Sequence, residues 1–282
     1  MNSLLEVTDL RMVMPTTHGP TELLRGVSFT VARGEAVGIV GESGSGKTLT
    51  LRSLIGLTPR GSSVSGQVRV DGESVMDLSP RRLRGLRREQ VGMIFQDPHA
   101  AINPVYRVGD FLTEPWRRSP RLERAAATER AAALLARVRI TDPERVLASF
   151  PHQLSGGMLQ RVMIAAAVMH DPGLLLADEP TTALDVTTQS EVLALMNEVR
   201  AEHGASLILI THDIGVVAAV CDRILVMYRG RVVEELTPAQ LYAGEISEPY
   251  TEALLSCRPE VTRRQDRLPV VAAGAFDERY AD

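Results

Sequence analysis

Three glycines, a lysine and a threonine are packed into eight residues, Gly41-Glu42-Ser43-Gly44-Ser45-Gly46-Lys47-Thr48. The run fits G-x-x-x-x-G-K-[ST], the spacing of a phosphate-binding loop. Glycines let the backbone curl so that successive N–H groups face phosphate oxygens. An ammonium at Lys47 reaches β- and γ-phosphates, and the Thr48 hydroxyl ligates Mg²⁺. A bare glycine turn between a strand and a helix is the simpler alternative, but here every fixed position is filled and the flanks suit the motif. Ala36–Val40 is short and apolar, as a buried strand is. The run through Leu51, Leu54 and Ile55 reads as a helix, whose N-terminus adds partial positive charge.

A second constellation closes the apolar run Leu174-Leu175-Leu176-Ala177 with two acids, Asp178 and Glu179. Open α/β sheets place ligand sites at such strand ends. Asp178 would hold Mg²⁺, mostly through water. Glu179 would orient and polarise an attacking water, a role typically worth ~10²–10⁴ in rate. Two acids can also simply cap the next helix, and the nearby phosphate loop favours the catalytic assignment. His212 ends another apolar run, Ser206 to Ile210. A lone histidine there is often a satisfied core residue, as His18, His99, His152, His170 and His203 are read. His212 differs because its strand end should lie beside that of Asp178, where a neutral imidazole can both accept and donate.

The elements that must position these groups follow from periodicity. Residues 4–13 read as a strand, Pro15–Pro20 as a loop, and Val27–Val31 as an alternating strand. Gly66–Gly72 gives a further short strand, and Gly92–Phe95 another that Pro98 terminates. From about Arg107 to Phe150, alanine, leucine and arginine dominate, predicting an inserted helical region. Residues 188–202 carry one apolar face with Gly204 as the stop. Arg223–Tyr228 and Arg231–Glu234 predict a hairpin around Arg229-Gly230. Strands alternating with helices predict a mainly parallel α/β core. The tail after about Glu245 reads as a loosely held extension.

Composition excludes several classes. The chain has 282 residues, 44% of them hydrophobic, and a net charge of −4, so it holds a large core and lacks the overall basic footprint of a nucleic-acid binder. Arginine runs at 81–84 and 87–88 read as a solvated helix face. Cys221 and Cys257 stand far apart, which argues against disulfides or zinc and fits a reducing compartment. No charged and apolar leader opens the sequence, and no apolar stretch approaches the ~20 residues of a membrane span.

With Leu154-Ser155-Gly156-Gly157, the motifs add up to a family. Together with the phosphate loop, Gln96, Asp178-Glu179, Ala183-Leu184-Asp185 and His212, that run resembles the ATP-binding-cassette (ABC) proteins over roughly residues 4–256. Phe95-Gln96-Asp97-Pro98, Ala177–Thr187 and Glu248-Pro249-Tyr250-Thr251 look like the dipeptide, oligopeptide and nickel importer branch. The resemblance implies a phosphate-loop NTPase fold: a mainly parallel core sheet, an antiparallel β subdomain and a helical insertion at about 97–160. It implies an ATP-binding domain over residues 1–245 and a shortened transporter-type extension over 246–282. Gln96 would join Thr48 and Asp178 around Mg²⁺ and assist Glu179 and His212. Ser155, Gly156 and Gly157 would close over ATP held by a second ATPase subunit, commonly a different chain. Further implied partners are two membrane-spanning permeases and an external substrate-binding protein, with this chain peripheral on the cytoplasmic face. Peptide uptake is the implied role. Leu159 before Gln160 keeps nickel or metal-chelate uptake open, and an ATPase acting on nucleic acid or the ribosome is a distant alternative. Family members usually stack an aromatic on adenine from the loop before the second strand; here that loop offers only His18, and the resemblance leaves the adenine contact open. Cys257 alone supplies too few thiolates for an iron–sulfur cluster.

Overall fold

The structure, a computed structural model, describes residues 3–17, 19–116, 120–181, 185–256, 276, 279 and 280. The chain opens with β1 (Ser3–Thr16) and β2 (Gly19–Ala32), a long antiparallel hairpin. β3 (Ala36–Val40) runs into the phosphate loop and α1 (Lys47–Ser53). Next come β4 (Ser63–Val70), β5 (Glu73–Ser74), α2 (Pro80–Glu89) and β6 (Val91–Ile94). The insertion supplies α3 (Pro98–Ala101), α4 (Val108–Leu112), α5 (Arg121–Arg137) and α6 (Pro143–Ala148). α7 (Gly156–Ala167) returns to β7 (Leu174–Asp178), followed by α8 (Val186–Glu202), β8 (Ser206–Ile210) and α9 (Ile214–Val220). The hairpin of β9 (Arg223–Tyr228) and β10 (Arg231–Leu236) leads to α10 (Pro238–Ala243) and α11 (Pro249–Ser256).

These strands form two sheets, a four-stranded one of order β2-β1-β4-β5 and a six-stranded one of order β10-β9-β3-β8-β7-β6. The second is parallel from β9 to β6, with β10 antiparallel at its edge. Its central strands are apolar at nearly every position because both faces are covered. Leu175, Ala177, Leu207, Leu209, Ile224 and Val226 face the helices. Leu174, Leu176, Ile208, Ile210, Leu225 and Met227 face the antiparallel sheet. Alternate side chains of one strand thus enter two separate cores.

Three sequence expectations shift. The loop expected at Pro15–Pro20 is strand almost to its tip, with Pro15 opposite Pro20 and Thr16 opposite Gly19. Pro20 lies on an edge strand and Pro15 lies beyond the last β1–β4 pair, Val13 with Ser63, so neither removes a ladder hydrogen bond that a neighbour needs. β4 begins three residues before Gly66. The expected loose extension is packed over its described part, with Tyr250 and Thr251 wholly buried on α11 and the Tyr250 ring tilted against Tyr228 and edge-on to Phe276. Cys257 lies outside the described residues.

Arg223 ties the two sheets together. From β9 it donates to Glu35 at 2.9 Å and to Glu235 on β10 at 2.7 Å, and to the Thr30 carbonyl on β2. Hydrogen bonds to charged partners contribute more than neutral ones, and removing the arginine leaves Glu35 half-buried without its cation. Arg223→Met should cost about 2 kcal/mol and lower the thermal midpoint by about 4–6 °C, measured by circular dichroism. An unchanged midpoint would show that this fan of hydrogen bonds does not hold the sheets.

Candidate functional site

The site is built at the C-terminal ends of four adjacent parallel strands. β3 ends at Val40, β8 at Ile210, β7 at Asp178 and β6 at Ile94. The residue or two that follow each strand therefore meet at one sheet edge.

The loop after β3 is tightly constrained. Gly41 has φ 153°, and a Cβ there would stand 2.2 Å from the Met227 carbonyl oxygen. Gly46 caps α1 with φ 103° in the left-handed region, and a Cβ would stand 2.9 Å from Leu24. Both positions need glycine for conformation and for space. The turn between β9 and β10 braces the loop, since the Gly230 N–H donates to the Ser45 carbonyl at 2.8 Å. Ser43 and Gly44 are exposed.

Lys47 is only 5% exposed. Its ammonium donates to the Gly41 and Glu42 carbonyls, each at 2.8 Å, and so folds back on its own loop. Burial lowers the Lys47 pKa, against the opposing pull of Glu179, Asp178 and Glu42. One residue on, the Thr48 hydroxyl donates to Asp178 Oδ1 at 2.8 Å. Asp178 is 1% exposed. Burial raises its pKa, and the Thr48 hydrogen bond and the Arg52 and Lys47 charges only partly offset this. Its Oδ2 is buried without a hydrogen bond and has Arg52 at 3.6 Å. Ser45 Oγ is likewise buried and unpartnered.

After Asp178 the backbone turns sharply. Glu179 has φ 45°, sparsely populated for a residue with a side chain, and its N–H donates to the Ile210 carbonyl at 3.0 Å. The turn sends the two acids to different partners. Asp178 faces Thr48 and Arg52, whereas Glu179 Oε2 accepts from Gln96 Nε2 at 3.3 Å and lies 3.7 Å from His212 Nδ1. Gln96 and His212 are exposed. Asp213, just after His212, caps α9 by accepting from the Gly215 and Val216 N–H groups.

The structure thus brings Lys47, Thr48, Gln96, Asp178, Glu179 and His212 to one sheet edge. Ser155, Gly156 and Gly157 are elsewhere. Ser155 caps α7 through the Met158 N–H at 3.3 Å, Ser155 and Gly156 are exposed, and among the described residues no hydrogen bond links these three to the phosphate loop. His18, Ala183 and Leu184 lie outside the described residues. Asp185 caps α8 through the Thr188 N–H.

Two neighbours of the site were not anticipated from sequence. Arg52 sits one helical turn after Thr48, a spacing that could have pointed to it. Tyr250, whose Oη accepts from the Glu42 N–H at 3.0 Å, carries no local signal, being 208 residues away in sequence.

Residues 24–182 match the family described as ABC transporter. The chain is 45% identical over 271 residues to a probable peptide ABC transporter ATP-binding protein of Sinorhizobium fredii, covering 95% of this chain and 81% of that one. It is 42% identical over 260 residues to the oligopeptide transport ATP-binding protein OppD of Salmonella typhimurium, covering 92% and 77%. Against OppD of Mycobacterium tuberculosis it is 45% identical over 276 residues, yet covers only 45% of that longer protein. Among solved structures, an ATP-binding cassette captured as a post-hydrolysis dimer with ADP and Pi superposes with a TM-score of 0.72 at 30% identity, covering 83% of this chain and 98% of that one. The cassette cbiO1 from Clostridium perfringens gives a TM-score of 0.73 at 30% identity, covering 87% and 92%.

The burial of Asp178 has a testable consequence. Its raised pKa means that the folded chain binds the proton more readily than the unfolded chain, so the carboxylate costs stability above the folded pKa and the cost disappears as pH falls through it. Asp178→Asn keeps an acceptor for Thr48 and removes the charge. Without nucleotide or metal, its thermal midpoint should exceed that of the wild type at pH 8, and the gap should close toward pH ~4, the ordinary aspartate range. Melts across this pH span check it; a lower midpoint at pH 8 would contradict it.

Proposed function

Because the chain belongs to the ABC transporter family, we propose that it is the ATP-hydrolysing subunit of an importer for di- and oligopeptides, peripheral on the cytoplasmic face of a membrane. The observation that carries this is the convergence of Lys47, Thr48, Asp178, Glu179, Gln96 and His212 at one edge of the parallel sheet. ATPase activity is the family's chemistry, and this chain retains a group for each part of it. The loop N–H groups and the N-terminus of α1 receive the phosphate chain. Lys47 exchanges its carbonyl partners for the β- and γ-phosphates. Glu179, steadied by Gln96 and His212, orients and polarises the attacking water.

The donor set suits Mg²⁺. Thr48 Oγ1, Asp178 and the Gln96 amide are oxygen-bearing groups of the kind a hard cation takes, and Asp178 Oδ2 is a buried acceptor without a hydrogen bond. Among the described residues no group of three or more His, Cys, Asp or Glu converges, so most ligands would be water and phosphate, as is usual for this ion. Bound there, Mg²⁺ supplies charge neutralisation at the phosphates.

Ser155, Gly156 and Gly157 stand at the exposed N-terminus of a helix with no role in the chain's own phosphate site. They serve ATP held by a second ATPase subunit in a head-to-tail pair. The partner side of the chain is a cleft of about 1280 Å³ between α2, β6, α4 and α7, floored by Met93, Phe95, Phe111 and Met163 and rimmed by Arg84, Arg87 and Arg88. This cleft receives a permease segment that offers apolar side chains and carboxylates. Gln96 follows Phe95 directly and bonds Glu179, so it joins cleft to catalytic carboxylate. No helix among the described residues is long and apolar enough to cross a membrane, and the permeases supply the passage. An external binding protein delivers the cargo.

The peptide assignment rests on the relatives' names. The feature that kept nickel open, Leu159, is wholly buried in α7, where its type answers to packing. Uptake of labelled dipeptide and of nickel by the co-expressed transporter separates the two cargoes; nickel uptake alone would overturn the peptide assignment.

Two outcomes test the mechanism. Glu179→Gln keeps the shape and the contact with Gln96 but removes the charge that polarises water. It should bind ATP, turn it over at least ~10²-fold more slowly, and accumulate as a closed dimer on size-exclusion chromatography with Mg-ATP. Hydrolysis at the wild-type rate would refute the role given to Glu179. Gln96→Ala should reduce transport in reconstituted vesicles far more than it reduces ATP binding, and an equal loss of both would remove Gln96 from the coupling route.

A further inference from the structure

Tyr250 is wholly buried, and its hydroxyl reaches the first turn of the phosphate loop, where it accepts the Glu42 N–H at 3.0 Å. The same short stretch is held from the opposite side, since the Gly41 and Glu42 carbonyls both accept from Lys47 at 2.8 Å. Gly41–Glu42 is therefore clamped between an ammonium inside the site and a phenol behind it.

The phenol is itself rigidly placed. Its ring packs against Tyr228, the last residue of β9, with centroids 4.5 Å apart, and meets Phe276 edge-on at 5.7 Å. The chain leading into α11 is pinned to the sheet by Glu234 of β10, which accepts from the Ser247 N–H at 2.7 Å, from the Ser247 hydroxyl at 2.8 Å and from the Glu248 N–H at 3.3 Å. A continuous path of contacts thus runs from β10 through residues 247–250 to the loop. Burial pushes the phenol up to about 12, so Tyr250 stays neutral across the physiological range and its oxygen remains a plain acceptor for the amide.

The two clamps respond differently to nucleotide. Lys47 has to turn toward phosphate when ATP arrives, and its hold on the Gly41 and Glu42 carbonyls weakens. The Tyr250 hydroxyl holds the Glu42 amide rather than the carbonyls that Lys47 releases, and it keeps its partner. We propose that Tyr250 is a positioning residue for ATP binding: it holds the Glu42 amide so that the loop keeps its binding shape once Lys47 moves to the phosphates. This rests on the assignment of Gly41–Thr48 as the ATP site. By reciprocity, ATP bound to the loop stabilises the contact that α11 makes with it.

The test uses the full chain. Tyr250→Phe keeps the ring and its packing and removes the acceptor. Its Kd for Mg-ATP by calorimetry should rise roughly 3- to 10-fold, the effect of one ordinary hydrogen bond. Phe276→Leu trims the same aromatic cluster without touching the hydroxyl and should leave Kd near the wild-type value. An unchanged Kd in Tyr250→Phe, or an equal rise in Phe276→Leu, would overturn the proposal, since packing would then account for everything. Hydrogen exchange of the wild type gives a reading that no variant's folding can spoil. ATP should slow amide exchange in residues 249–256, and exchange unaffected by saturating ATP overturns the proposal as well. Lys47→Ala marks the other kind of failure: if it binds ATP as the wild type does, the loop's own assignment falls, whereas lost binding in Lys47→Ala with normal binding in Tyr250→Phe removes Tyr250 alone.

Discussion

A lysine only 5% exposed is the constraint from which the site follows. A buried charge has to be surrounded by oxygen, because an unpaired one is far too costly to retain. Lys47 meets that demand with two carbonyls of its own loop, and the loop can deliver them only by curling back on itself. The curl in turn requires left-handed backbone at Gly46 and a Gly41 without a Cβ against the Met227 carbonyl. Arrangements that satisfy the lysine by borrowing backbone oxygen are provisional by nature. They give way when phosphate, a stronger partner for a cation, is present. The loop is then a spring loaded by its own charge, and the neighbours that brace it from outside, Gly230 and Tyr250, set the shape to which it answers.

Sheet topology does the rest of the gathering. β3 lies between β9 and β8, with β7 and β6 beyond. Parallel strands end on the same side, so residues as distant in sequence as Thr48, Gln96, Asp178 and His212 follow strand ends only one ladder spacing apart, ~4.8 Å each. The left-handed turn at Glu179 divides the labour of the adjacent acids. One stays buried beside Thr48, the other swings out to Gln96 and His212. Backbone strain at functional positions is a recurrent device for aiming a side chain, and here it separates a carboxylate held by Thr48 from one facing Gln96 and His212.

What was legible in the sequence was local. The phosphate loop, the paired acids and the strand-terminal histidine each announce themselves within a few residues, because a motif and its flanking periodicity occupy one strand and one turn. The parallel core was legible for the same reason, as continuous apolar runs mark strands covered on both faces. What failed was non-local. Pro15 and Pro20 point to a loop in sequence, and only sheet context makes them tolerable within strands, Pro20 through the edge position of β2 and Pro15 through its place beyond the last β1–β4 pair. The tail looked loosely held because nothing in residues 245–256 announces that Tyr228 and Glu42 are waiting to receive Tyr250. Leu159, which bears on cargo in the sequence, occupies a buried position on α7 that also answers to neighbours on the same helix and sheet. Residue type alone cannot separate a core demand from a recognition demand.

The energetics of the site run against the empty chain. Burial opposes the charged forms of both Lys47 and Asp178, so the folded chain without ligand carries ionised groups that it would be more stable without. Ligand reverses the balance. A nucleotide present at a hundred times its Kd stabilises the state that binds it by ~2.7 kcal/mol, a sizeable fraction of the 5–15 kcal/mol typical of whole proteins. Buried charge at the strand ends is thus the physical link between occupancy and structure. The strain on the empty state makes binding consequential for the whole fold. From the site, direct contacts lead outward through Gln96, which bonds Glu179 beside the cleft, and through Tyr250, which ties the loop's Glu42 amide to α11.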